Sequence, residues 1–235
     1  MKIIVAALVT VYSLIPQSIS EFTKGVNELL ENRVSDGLVD YEAIANDPAK
    51  INQLYKEVGS ASLEGASDAE KKAFYINAYN VVTIYQVIQN YPVKSPMNIK
   101  GFFDNNKHEV AGEMFTLNQL EKEHLLKHHF DARLHFVLVC AALSCPPLAD
   151  FAYQADQLDQ QIEEKTLQAL NNPEFIQVNK SKKKVLVSKI FDWYKSDFTK
   201  NQASVLQYIN QYRDEKIPES YKLGFYEYDW GLNRQ

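Results

Sequence analysis

The sequence predicts a helix-rich α+β domain with short antiparallel strands and hairpins. Apolar residues recur at helical spacing through most of the N-terminal half, which favours amphipathic helices. A few short segments further along alternate between apolar and polar residues around turn signals, which is typical of hairpins. No internal repeat or low-complexity linker divides the sequence, so residues 21–235 are predicted to form a single domain.

The first twenty residues are predicted to be a removable signal peptide. A positively charged start, an uncharged and mostly apolar run over residues 3–15, and small residues at Ser18 and Ser20 predict cleavage before Glu21. A membrane anchor would need about 20 apolar residues, and this run is shorter. We therefore expect a secreted or periplasmic protein with no stable membrane span after cleavage.

The overall charge argues against one class of partner. The chain has 25 basic and 30 acidic residues, a net charge of -5, whereas nucleic-acid binders are usually basic. The basic run over residues 180–184 lies between two alternating segments, so a solvated hairpin turn is predicted there. The expected partner is an unidentified small molecule or peptide, and no cofactor is predicted.

The helices of the N-terminal half follow from periodicity and capping signals. Ser67, with Glu70 three positions later, forms a capping box at the start of the strongest helix, which is apolar almost all round and should be central and buried. The predicted helices cover residues 21–33, 40–45, 47–58 and 67–89.

The second half mixes helices with short strands. Residues 134–139 are continuously apolar and partly β-branched, so we predict a buried strand there. The other predicted elements are hairpins over 108–116 and over 175–178 with 185–187, helices over 116–126, 153–169, 188–198 and 203–212, and a final strand over 225–230.

The most informative stretch joins a histidine to two cysteines. The chain has only two cysteines and five histidines, and His135, Cys140 and Cys145 lie within about ten residues. Strand alternation would turn His135 and Cys140 to opposite faces, whereas Cys145 lies beyond the strand, on a loop stiffened by Pro146 and Pro147. A thiol nucleophile needs a neighbour that takes its proton, most often histidine. Cys145 is therefore the candidate nucleophile and His135 its candidate base.

Two structural interpretations of the cysteines stay open. A Cys140–Cys145 disulfide would close a short loop worth only about 2 kcal/mol in the chain-entropy model. Alternatively, both could be buried, unreactive thiols, since free cysteine is among the most buried residue types.

A catalytic histidine is usually oriented by a carboxylate or amide. Glu121 is the first candidate, and a surface carboxylate is the competing interpretation. Asn77, Asn80 and Ser144 are candidate substrate-binding residues, and either asparagine could polarise a carbonyl. The alternative for both asparagines is hydrogen bonding to neighbouring backbone. Glu123, Asp131 and Asn80 are further candidates for the orienting group.

His124 and His128 share a helix face, as a metal pair could. No third ligand is evident and Lys127 adds an opposing charge, so a solvated helix end is the preferred interpretation and no metal site is predicted.

Taken together, these residues resemble the domain-of-unknown-function 547 (DUF547) family. The resemblance runs in order from about Glu21 to the C-terminus and rests on AFYINAYN (73–80), YPVKS (91–95), LHFVLVCAALSCPPL (134–148), SKIFDWY (188–194) and YEYDWGLN (226–233). It implies an exported protein of the same fold and places Glu121 on a family glutamate. Lys122 stands where the family typically has histidine, which is a departure.

These observations favour a thiol-dependent hydrolase or acyl transferase that acts on an amide or peptide-like substrate. Cys145, His135 and Glu121 would then have a papain-like or transglutaminase-like layout. The alternative is a non-catalytic envelope binding domain with a structural Cys140–Cys145 pair. A redox cycle of the same pair ranks lower, because the spacing is wider than Cys-x-x-Cys.

Overall fold

In the computed structural model, which describes residues 18–235, short helices pack around one long central helix. The N-terminal helices are α1 (Ile19–Arg33), α2 (Tyr41–Asn46), α3 (Ala49–Ser60) and α4 (Asp68–Ile88), and a small hairpin, β1 (Val34–Ser35) with β2 (Leu38–Val39), follows α1. The predicted capping box starts α4: Ser67 Oγ accepts from the Glu70 N–H, and the Glu70 carboxylate accepts from the Ser67 N–H. The helix is buried on nearly every side, as predicted.

The middle of the chain carries a hairpin and a wide helical turn. Strands β3 (His108–Val110) and β4 (Glu113–Phe115) pair antiparallel, as predicted. A π-helical segment, Gln119–Leu125, runs into the short α5 (Leu126–His128). A 3₁₀ turn, Ala132–Phe136, follows.

The C-terminal part builds a second core beside the first. It contains α6 (Leu158–Asn171), β5 (Ile176–Asn179), β6 (Lys184–Val187), α7 (Ile190–Trp193), α8 (Lys195–Phe198), α9 (Val205–Tyr212) and β7 (Lys222–Phe225). Strand β6 pairs antiparallel with β5, as predicted, and parallel with β7, which antiparallel hairpins do not anticipate. Cys140 packs against both cores.

The predicted strand over residues 134–139 was wrong. The Asp131 side chain accepts a hydrogen bond from the Arg133 N–H and starts a 3₁₀ turn instead. Beyond the turn, Asn80 donates to the Val137 carbonyl and accepts from the Val139 N–H, both at 3.0 Å. One buried amide thus gives this segment two backbone hydrogen bonds of the kind that a neighbouring strand would supply, and the parity argument for His135 and Cys140 does not apply.

The predicted final strand was displaced. The prediction placed it over residues 225–230, whereas β7 covers Lys222–Phe225 and ends where the predicted strand begins. Beyond β7 the chain crosses to the cysteine loop, where Leu143 N–H donates to the Gly231 carbonyl at 2.8 Å and Ser144 N–H to the Asp229 carbonyl at 3.1 Å. The C-terminal segment therefore supports the loop between the two cysteines.

No helix within residues 18–235 has the length and apolar character to cross a membrane. Residues 1–17 of the predicted signal peptide lie outside the described residues. Ser18 is the N-cap of α1, in a second capping box with Glu21.

Candidate functional site

A cavity of about 310 Å³ lies where the two cores meet, and it contains all three predicted catalytic residues. Cys145, His135 and Glu121 line it together with Cys140. Aromatic rings form much of the remaining wall, from Tyr79, Phe103, Trp193, Tyr194, Tyr228 and Trp230. A concave, largely apolar site with a few convergent polar groups is typical of ligand-binding pockets.

His135 is held between two carboxylates. It lies on the 3₁₀ turn, only 4% exposed. Its Nε2 is 2.9 Å from Asp197 Oδ2, and its Nδ1 is 3.8 Å from Glu121 Oε1 on the cavity side. The Tyr194 ring packs on the imidazole with centroids 4.0 Å apart. These contacts fix the orientation of the ring.

Asp197 contacts the candidate base and was not among the residues that the sequence suggested. The hydrogen bond to His135 is the largest effect lowering the pKa of the Asp197 carboxyl, ahead of the opposing effect of burial. Its helix, α8, is separated from α7 by a break at Tyr194, and this break turns Asp197 towards His135. No local sequence pattern marks it, because its contact with His135 joins residues 62 positions apart.

Glu121 is a buried carboxylate, 7% exposed, rather than a surface one. It lies in the π-helical segment, a rare geometry that often occurs at functional sites. The Tyr79 hydroxyl donates to its Oε2 at 3.4 Å. Among the described residues, its only ion-pair partner is His135.

Cys140 and Cys145 form a disulfide with a Cα–Cα distance of 6.2 Å. One of the two structural interpretations left open by the sequence is therefore realised. Both sulfurs remain at the cavity wall, since both residues line it.

Hydrogen bonding distinguishes the two sulfurs. Cys145 Sγ accepts from the Cys140 backbone N–H at 3.0 Å and from the Tyr228 hydroxyl at 3.3 Å. Cys140 Sγ contacts only the Tyr228 hydroxyl, at 3.1 Å. Donors aimed at a sulfur stabilise its thiolate. The Tyr228 hydroxyl lies against both sulfurs, so the Cys140 backbone N–H is the donor that distinguishes Cys145 among the described residues.

The predicted substrate-binding residues lie outside this cavity. Asn80 is engaged by Val137 and Val139, and Asn77 makes the same two-sided contact with Tyr153, donating to its carbonyl at 2.8 Å and accepting from its N–H at 2.9 Å. The amides of both asparagines therefore bind backbone.

Ser144 lies on the far side of the disulfide. Its hydroxyl accepts from the Asp229 N–H at 2.8 Å, and it lines a neighbouring groove of about 460 Å³ that also includes Cys145. Of the three predicted substrate-binding residues, only Ser144 lies near a cavity that reaches Cys145.

His124 and His128 lie away from the cavity. Their ring centroids are 5.4 Å apart, and His124 packs on Tyr75 at 4.1 Å. Burial is the main effect lowering the pKa of His124. Over residues 18–235, no group of three or more histidine, cysteine or acidic side chains is arranged to hold a metal ion.

A comparison with family models matches residues 63–168 to the family described as "Protein of unknown function, DUF547". No curated protein and no solved structure gives a match. The matched segment supplies Glu121, His135, Cys140 and Cys145. The residues after position 168 supply most of the aromatic wall and the aspartate that contacts His135, namely Trp193, Tyr194, Tyr228, Trp230 and Asp197.

Proposed function

We propose that this DUF547-domain protein is a thiol-dependent hydrolase or acyl transferase that acts on an amide or peptide-like substrate. The family description assigns no activity, so the proposal rests on the residues of the cavity. One observation carries the proposal. Cys145, His135 and Glu121 come from separate segments and line one cavity.

The reaction begins with opening of the disulfide. A dithiol reductant transfers two electrons to the Cys140–Cys145 bond, which leaves two thiols and converts the reductant to its own disulfide. His135 then takes the proton of the Cys145 thiol, and the sulfur bonds to the substrate carbonyl carbon. The carbon–nitrogen bond breaks as His135 returns the proton to the departing amine. Water, or an acceptor amine, cleaves the thioester and restores the thiol.

The contacts of His135 revise the roles of the carboxylates. Asp197, at 2.9 Å, is the orienting group, a role that the sequence argument gave to Glu121. It binds Nε2, which leaves Nδ1, 3.8 Å from Glu121 Oε1, as the nitrogen that would take the proton of the thiol. Papain-like enzymes likewise hold one nitrogen of the imidazole with a polar side chain and use the other for the thiol. Glu121 stabilises the imidazolium from within the cavity.

Acylation by p-nitrophenyl acetate tests the proposal. The Cys140→Ser variant cannot form the disulfide, so Cys145 is free without reductant. We expect mass spectrometry to find the acetyl group on Cys145 in this variant and in the reduced parent chain. In the Cys145→Ser variant, Cys140 should stay unmodified over the same period. Acylation of Cys145 no faster than that of a small free thiol would overturn the proposal.

A second candidate function is a non-catalytic binding domain in which the disulfide is structural. The bonded pair favours it, because a disulfide leaves no nucleophile. Alkylation after mild reduction separates the two. A structural pair should resist reduction in the folded protein, or give a thiol of ordinary reactivity, whereas a catalytic pair gives one fast-reacting Cys145.

The disulfide also supports the proposal that the protein is secreted or periplasmic, since such bonds persist in oxidising compartments. Expression of the full chain in a bacterium, followed by fractionation and intact mass, tests this. We expect the protein outside the cytosol, beginning at Glu21 and two hydrogen atoms lighter than its reduced form. A full-length cytosolic product would contradict the proposal.

A further inference from the structure

We infer that the aromatic cavity binds a protonated amine carried by the substrate. The inference names the substrate class of the proposed function and rests on that function for its catalytic meaning. Three observations carry it: a buried carboxylate, a wall of aromatic rings, and a lysine of the chain that lies over one of these rings.

The first observation is the carboxylate of Glu121. It is 7% exposed and lines the cavity. Its partners among the described residues are a histidine nitrogen at 3.8 Å, a long hydrogen bond from Tyr79, and the Tyr194 hydroxyl. Buried carboxylates are normally paired with a cation. Glu121 can therefore accept a further positive group from the cavity side.

The second observation is the aromatic wall. Trp193, Tyr228 and Trp230 pack on one another with ring centroids 4.7 to 5.8 Å apart. Trp193 is 48% exposed, an unusually open position for so large an apolar side chain. Ring faces carry negative charge density and attract ammonium groups, tryptophan most strongly. An amine in this cavity would meet aromatic faces and the Glu121 carboxylate together.

The third observation is Lys122, whose Nζ lies 5.5 Å from the centroid of the Tyr194 ring. Lys122 lines the cavity, so one ammonium group already occupies an aromatic face of it. It marks the kind of group that this wall attracts. It also competes with a cationic ligand, both for the ring and through its charge.

These observations predict opposite effects at two adjacent residues. Neutralising Glu121 removes the carboxylate partner of the amine and should weaken binding. Neutralising Lys122 removes the competitor and should strengthen it. A merely apolar cavity would respond little to either change.

The experiment titrates the resting, disulfide-bonded full chain at pH 7 and follows tryptophan fluorescence. The sequence has only two tryptophans, Trp193 and Trp230, and both line the cavity, so the signal reports this site. The probes are pentylamine, its uncharged isostere pentanol, and the anion pentanoate. We expect pentylamine to bind about tenfold more tightly than pentanol, in line with a partly desolvated cation–π contact and an ion pair.

Two charge-neutralising variants and their matched controls test whether the cavity binds the amine through its charge. Glu121→Gln should reduce pentylamine binding to the level of pentanol, and Lys122→Met should tighten it by about threefold or more. Glu123→Gln and Lys127→Met make the same charge changes at exposed neighbours and should leave it unchanged. Equal binding of pentanol and pentylamine, or preference for pentanoate, would overturn the inference. Since the disulfide stays closed throughout, this result does not depend on whether Cys145 reacts, and the acylation test does not depend on the amine.

Discussion

Among single side chains, His135 depends on two carboxylates that act on different ring nitrogens. Asp197 lies 2.9 Å from Nε2 and fixes the ring, whereas Glu121 lies 3.8 Å from Nδ1 on the cavity side. A histidine with one nitrogen hydrogen-bonded to a carboxylate holds its other nitrogen in a constant orientation, where it can take the proton of a thiol. The chemistry of Cys145 should therefore be sensitive to Asp197, although Asp197 does not line the cavity.

Asp197→Asn should slow alkylation of Cys145 by iodoacetamide in the reduced protein at pH 7 on the order of tenfold, because the amide stabilises the imidazolium less than the carboxylate does. Mass-spectrometric rates on the full chain measure this. Asp192→Asn, at an exposed carboxylate of α7, is the matched control and should react like the parent. Equal rates for all three proteins would show that Asp197 has no positioning role.

Tyr228→Phe should raise the pKa of the reduced Cys145 thiol by up to about one unit, since the thiolate loses one of its two hydrogen-bond donors. The measurement is the pH profile of Cys145 alkylation, with Tyr226→Phe as the control. A profile unchanged by Tyr228→Phe would assign the tyrosine to packing alone.

The buried His108, which lies away from the cavity, should make the stability of the fold sensitive to acid. Burial lowers its pKa from 6.5 to about 4, and its Nε2 has no hydrogen-bond partner among the described residues. At a pH between these two pKa values, His108 is protonated in the unfolded chain but not in the folded chain. The free energy of unfolding therefore decreases as the pH falls. The slope from this residue approaches about 1.4 kcal/mol per pH unit.

Urea unfolding between pH 7.5 and 4.5 measures this contribution. His108→Gln should lose less stability over that range than the parent, and His128→Gln, at an exposed histidine, should follow the parent. Parallel pH profiles for the parent and His108→Gln would contradict the assignment.

Residue type and local spacing made Cys145 and His135 candidates, and the family resemblance strengthened Glu121; the structure brings all three to one cavity. The sequence did not identify Asp197 or Tyr228. Their contacts with His135 and the sulfurs span 62 and 83 residues or more, and depend on how the second core docks on the first. Local periodicity carries no information about such docking.

At the scale of helices and loops, α4 determines the course of two neighbouring backbone segments through its buried asparagines. Asn77 and Asn80 lie inside it, and each side-chain amide binds both a backbone carbonyl and a backbone N–H of a segment outside the helix. Because Asn80 provides these bonds, residues 137–139 need no neighbouring strand. The apolar pattern of residues 134–139 correctly predicted burial but not strand pairing, since a side-chain partner leaves no periodic signal in sequence.

Asn80→Leu should destabilise the fold by about 2–4 kcal/mol, because the Val137 carbonyl and the Val139 N–H would be left buried without partners. Urea unfolding at pH 7 measures the loss. Asn201→Leu replaces an exposed asparagine of a surface bend and should change stability by about 0.5 kcal/mol or less. A loss of that small size at Asn80 would mean that the loop finds other hydrogen bonds.

Across the entire chain, the helix-rich α+β class followed from periodicity, capping and hairpin signals, which are local. The parallel pairing of β6 with β7 did not, because it joins strands separated by α7, α8 and α9. That pairing directs the C-terminal segment towards the cysteine loop. The cavity thus depends on both cores, with Cys145 and His135 from the family-matched part and the aromatic wall largely from the rest.

The most direct measurement is the pH dependence of Cys145 alkylation by iodoacetamide in the Cys140→Ser variant, with and without His135→Gln. Activation by His135 predicts a half-maximal rate at least about one pH unit below the ordinary thiol value of about 8.5, and a return towards that value when His135 is replaced. A profile centred near about 8.5 in both proteins would contradict a thiol active site at this cavity.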